Sequence, residues 1–318
     1  VPQNVYRFTD ASAPVLTGQV GSLIALLDAC LVNGYGSMSA AGWTKPYSST
    51  NAAVYLMGGS SNQRYYQVDD NGPGAAAARE ARLYGFETMT AYNTGTNPIS
   101  GGIMLIGNFI VIRKSVTADT AVRSWVIAAD NRTVYGFVQT GDSAGNYLCF
   151  WFGDFYSFRT GDAWKAGLSA RNAENSVSLS NDLACAIVGS GSFQSHGMIF
   201  RNAAAVAGAV VYSGMGDTAL IGNIGATSAP QGVLSYPHSP DGGFYLAPFY
   251  LCEQTVVSVR GHHRGMWHGV HPSSVFTDGD LINGTGPYAG RTFLIVKSVA
   301  PSPVGYVVIE TTAWPTSS

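Results

Sequence analysis

The sequence predicts a β-dominated α+β fold: a sandwich- or barrel-like β body with one short amphipathic helix near the N-terminus. Two observations predict it. Short runs rich in Val, Ile, Tyr, Phe and Trp recur along the chain, with Gly, Asn and Asp between them. Convincing helical periodicity occurs once, early in the chain.

The helix is expected over 22–32. Leu23, Leu26, Leu27, Cys30 and Leu31 fall on one face, Ser22 is placed to cap the start, and Asn33-Gly34 supplies a left-handed stop. Ala75 to Arg82 reads as a helical turn or a loop. The first strand, Tyr65 to Val68, ends at Asp69-Asp70-Asn71-Gly72, and Leu83 to Thr90 alternates moderately. Ile103 to Arg113 is a long apolar run. Trp125 to Ala128 and Thr133 to Gln139 flank Asp130-Asn131 as a hairpin would. Asn146 to Phe158 is the most aromatic stretch, expected in the core or, less often, as a sugar platform. Later strands are expected at Met198–Arg201, Val206–Tyr212, Phe244–Leu251, Thr255–Arg260, Arg291–Lys297 and Tyr306–Glu310. Thr94 to Gly102 is the best candidate boundary. It divides an N-terminal α+β region (1–95) from a β-rich body (96–318), whose C-terminal strands could pack back on the N-terminal region. Asn172 to Asn181 and Pro230 to Gly243 read as long loops suited to contacts.

Of the 318 residues only 11% are charged, against roughly 25% in a typical globular protein. So few charges do not cover a soluble surface, which points to an assembly subunit whose outside is buried by neighbours; the alternative is a monomer with a neutral polar surface of Gly, Ser, Thr, Asn and Tyr. The net charge is −2, and no Lys/Arg run provides the footprint of a nucleic-acid binder. No apolar stretch approaches the ~20 residues of a membrane span. Val1-Pro2-Gln3-Asn4 does not read as a signal peptide, so synthesis in a cytoplasm is expected. Cys30, Cys149, Cys185 and Cys252 are scattered within apolar runs and read as buried thiols.

No motif argues for an enzyme or a cofactor. Gly141-Asp142-Ser143-Ala144-Gly145 matches G-x-S-x-G, but its flanks read as strands, and a hydrolase elbow needs a strand-to-helix turn. Gly214-x-Gly216-x-x-Ala219 opens no helix and reads as a turn. Asp278 to Gly284 fails the calcium-loop pattern at Ile282 and Asn283. No pair of carboxylates stands out as acid and base. His262, His263, His268 and His271 crowd one eleven-residue stretch and are candidate Zn or Ni ligands. No carboxylate or Cys is interleaved at ligand spacing, and no metal is expected. In a straight strand His263 and His271 would share one side, and His262 and His268 the other. With Arg264 and Trp267 present, the favoured reading is a subunit contact or packing against the N-terminal region, carried by Arg264, Trp267, His268 and His271.

Several runs add a resemblance. They include Phe8-Thr9-Asp10-Ala11-Ser12-Ala13-Pro14, Leu26-Leu27-Asp28-Ala29-Cys30-Leu31-Val32-Asn33-Gly34-Tyr35-Gly36, Ala41-Gly42-Trp43-Thr44-Lys45-Pro46 and Gly85-Phe86-Glu87-Thr88-Met89-Thr90. Arg264-Gly265-Met266-Trp267 with His271, Ala289-Gly290-Arg291-Thr292-Phe293 and Val308-Ile309-Glu310-Thr311 continue them. Together these runs resemble a family of tailed-bacteriophage virion structural proteins. The resemblance implies a non-enzymatic particle component located in the virion, with other phage structural proteins and copies of itself as partners. It brings no catalytic residues. Tail or baseplate is the first expectation, and capsid or collar decoration the second. A carbohydrate-binding module that adsorbs to host surface glycan is a further alternative, and a virion-borne hydrolase using Ser143 the last.

Overall fold

The computed structural model describes residues 4–59, 62–71, 79–99, 108–141, 147–171, 195–213, 234–238, 241–253, 258–297 and 306–315. Among them the fold is β-dominated, and all strand pairings are antiparallel. At its centre the strands Trp125–Ala129, Thr133–Gln139 and Tyr147–Asp154 form a meander. The strand Asn4–Arg7 pairs on one side of the meander, and Ala166–Arg171 on the other.

From Ala166–Arg171 the pairing continues through Ser195–Arg201, Ala207–Ser213 and Leu246–Glu253 to the long strand Ser258–Gly269. Tyr306–Glu310, Thr292–Lys297 and Leu281–Asn283 follow. These C-terminal strands return over the meander. A second, N-terminal group runs Thr44–Ser49, Ala52–Leu56, Tyr65–Asp69, Glu80–Ala91 and Ile110–Arg113.

The meander is a wall shared by two cores. Side chains alternate across a strand, so Trp125, Ile127, Val134, Val138, Phe150 and Phe152 face the helix and the N-terminal strands. Their neighbours Val126, Ala128, Tyr135, Phe137, Cys149 and Trp151 face Phe249, Met266, Leu294 and Ile309 of the C-terminal strands. Burial on both faces explains why these strands read as continuous apolar runs without alternation. A third cluster, around Phe244, Phe276, Phe293 and Tyr306, lies on the other face of the C-terminal strands.

The helix forms where its periodicity predicts, as an α-helical Ser22–Leu27 running into a π-helical Asp28–Asn33. Leu23, Leu26, Leu27, Cys30 and Leu31 are fully buried, and Gly34 ends the helix at φ +78°. The cap differs from expectation. The Ser22 hydroxyl bonds the carbonyls of Thr17 and Gln19, and the Leu23 N–H donates to the Asp70 carboxylate at 3.0 Å. Asp70 and Lys114 form a wholly buried ion pair, and the Lys114 ammonium also donates to the Gln19 carbonyl and to Ser22 Oγ.

Other differences are local. Glu80, Ala81 and Arg82 belong to a strand, not to a turn or loop. Thr94–Pro98 is the hairpin partner of Glu80–Ala91, and the first core draws on residues from Tyr6 to Phe200. Cys30 and Cys149 are buried, Cys252 is half-buried, and Cys185 lies outside the described residues. Among the described residues no helix is long and apolar enough to cross a membrane.

Candidate functional site

The histidine-rich segment is strand to Gly269, and its glycines mark close approaches. A Cβ on Gly261 would stand 1.9 Å from the Tyr156 carbonyl oxygen, one on Gly265 1.9 Å from the Trp314 ring, and one on Gly269 2.0 Å from the Tyr306 hydroxyl. Gly265 also sits at φ +63°, opposite a register shift between Pro248 and Tyr250. This bulge breaks the expected alternation. His263, Met266 and His268 all turn inward, while His262 and Trp267 lie on the outer side.

Inside, Arg264 is consumed within its own chain. Its guanidinium bonds Asp130 Oδ2 at 2.5 Å, Thr133 Oγ1 at 2.8 Å and the Pro315 carbonyl at 2.8 Å. Asp130 in turn accepts the N–H groups of Arg132 and Thr133, which closes the central hairpin. His271 accepts the Tyr245 N–H at Nε2, 2.8 Å away. Its Nδ1 therefore carries the proton, and it faces the carbonyls of Leu234 and Ser235. Burial pushes the His271 pKa down. His268 is buried against Phe249, and neither of its ring nitrogens has a hydrogen-bond partner. Among the described residues no three His, Cys, Asp or Glu side chains converge as metal ligands would.

Outside, aromatic rings form a row. Phe158, 54% exposed, packs edge-on to His262 at 5.7 Å. His262 stacks on Tyr156 at 4.8 Å and lies 6.1 Å from Trp267. Trp267 meets Tyr288 at 5.9 Å, and the Arg291 guanidinium lies 5.6 Å from both rings. Arg291 is held by two bonds of 2.6 Å to Glu310, so the row carries no unbalanced charge of its own.

A buried network supports one end of the row. Arg260 lies between Asp162 and Glu253, and the Phe158 N–H donates to the Arg260 carbonyl at 3.0 Å. The hydrogen bonds of Arg260 and Ser157 hold the Asp162 carboxyl below the usual range, against the opposing effect of its burial.

Of the four expected contact residues, Trp267 is part of this outer row. Arg264, His268 and His271 are buried and face inward or toward the chain's own loops. Tyr156, Phe158, Tyr288 and Arg291 were missed by sequence reasoning. The signal for the first two lay at the end of the aromatic stretch, where the wholly buried run through Phe155 gives way to Tyr156, half-buried, and Phe158. Ser143 and the 214–219 motif lie outside the described residues. The strands flanking Ser143 pair with each other from Gln139–Tyr147 onward, as hairpin arms do. Asp278 accepts the Tyr147 hydroxyl and the Lys297 N–H, so it serves a turn. No protein-family model matches the chain, and no curated protein matches it.

Proposed function

We propose that the chain is a non-enzymatic structural subunit of a tailed phage particle, tail- or baseplate-associated, and that the outer aromatic row meets a neighbouring subunit. One observation carries the reading. Of 17 Lys and Arg and 19 Asp and Glu, at least thirteen are buried: Arg113, Lys114, Arg123, Lys165, Arg260, Arg264, Asp70, Glu80, Asp130, Asp154, Asp162, Glu253 and Glu310. The outside is thus poorer in charge than the composition alone implies. Partly exposed rings and an Arg with its charge already balanced suit the anchor of a contact, where Trp, Tyr and Arg are enriched.

The resemblance of the N- and C-terminal runs to virion proteins supports the particle. The row also favours a second reading, adsorption to host glycan, because partly exposed ring faces suit stacking against sugars. Antibody labelling of intact particles tests the first. Signal at the tail or baseplate is expected, and signal confined to the capsid would move the subunit there. Particles free of the chain would reject the reading. Binding of the purified chain to a glycan array, abolished by Trp267→Ala, would favour adsorption.

A further inference from the structure

We propose that the joint between the central meander and the C-terminal strands opens on acidification, because His263 and His268 are built into it without an acidic partner. The inference is independent of where the subunit sits in a particle. His268 is 4% exposed, with its ring centroid 3.4 Å from that of Phe249 and both nitrogens unpartnered. His263 is 1% exposed and stands edge-on to Trp151 at 4.7 Å, with Nδ1 3.4 Å from the Tyr135 hydroxyl.

The meander presents Tyr135, Tyr147, Cys149 and Trp151 on this face, and nearby Asp130 is bound to Arg264. Asp154, also buried, feels the charges of Arg264, Lys165 and Arg132. Leu246–Glu253 presents Phe249, and Glu253 is bound to Arg260. Tyr306–Glu310 places Val307 opposite His268, and Glu310 is bound to Arg291. Trp314, over Tyr135, gives its indole N–H to the Glu310 carbonyl. On their own strand the neighbours are His262 and the cation Arg264. Among the described residues no carboxylate hydrogen-bonds either imidazole.

A proton on either ring would therefore be an unpaired charge between two packed sheets. Burial accordingly lowers both histidines from 6.5 to about 3. The open state takes up protons below pH 6.5 and the closed state does not until about 3. Each histidine thus shifts the equilibrium toward opening about tenfold per pH unit in that window. Asp154 opposes this. Burial raises it to about 6, so its neutralisation favours the closed state about tenfold per unit between 6 and 3.8. Two histidines against one aspartate leave a net shift of about tenfold per unit toward opening.

The test is hydrogen exchange of the full chain, corrected for intrinsic rate, from pH 7.5 to 4, for the wild type, His268→Phe and His268→Leu. The expected result is rising exchange in Leu246–Glu253 and Ser258–Gly269 while the helix at Ser22–Leu27 stays protected. In whichever variant folds, the rise is largely abolished down to pH 4, because His263 alone is offset by Asp154. An unshifted rise in a folded variant would overturn the proposal. So would loss of helix protection in step with the joint, which would mean plain global unfolding, or a wild type that stays closed to pH 4.

Discussion

Asp70 shows how one side chain can finish an element far away in sequence. It accepts the first free N–H of a helix 47 residues before it and is itself neutralised by Lys114. Removing one partner leaves an uncompensated buried charge. Lys114→Met should therefore cost about 3–5 kcal/mol in urea unfolding, whereas replacing both residues by apolar ones of similar volume should cost far less. A single-variant loss below about 1 kcal/mol would show that the pair does not matter. At His268 the sign reverses, because His268→Phe keeps a ring on Phe249 and removes two unpartnered nitrogens. It should stabilise by about 1–3 kcal/mol at pH 7. The gain should grow as pH falls below 6.5, since a base depressed to about 3 in the folded state gives its full stability above 6.5 and loses it toward 3. Thermal melts at pH 7 and 5 check both statements.

The elements differed in how far they could be read from sequence, and the reason is range. The helix face was legible because Leu23, Leu27, Cys30 and Leu31 lie within nine residues, and Gly34 stops the helix where expected. Its cap was not, because the capping carboxylate comes from another element. The strands Trp125–Ala129, Thr133–Gln139 and Tyr147–Asp154 were legible as strands, but their two-sided burial depends on layers that only the fold brings together. Gly261, Gly265 and Gly269 are strand positions where Tyr156, Trp314 and Tyr306 leave no room for a side chain, a constraint set by other elements. Gly265→Ala adds a φ of +63° to a clash with Trp314 and should destabilise by about 2–4 kcal/mol, read as a lowered denaturant midpoint. A neutral result would mean that the bulge relaxes without cost.

Over the whole molecule, charge is drawn inward. Arg260 between Asp162 and Glu253, and Arg264 on Asp130, tie strands together across the fold, while the row from Phe158 to Tyr288 leaves partly exposed rings on the outside. Composition made the shortage of surface charge legible. Placing the row needed the bulge at Gly265, which turns Trp267 outward and His268 inward. Because the buried pairs are little screened, raising salt from 0.05 to 0.5 M should change folding stability by less than about 1 kcal/mol. The central claim is that this face anchors the chain to a neighbour. Its most direct test is competitive incorporation of wild-type and Trp267→Ala chains into particles, read by quantitative mass spectrometry, with circular dichroism showing that the variant is folded. The account predicts a deficit of about thirtyfold for the variant, equivalent to about 2 kcal/mol of contact energy. Equal incorporation of the folded variant would contradict it.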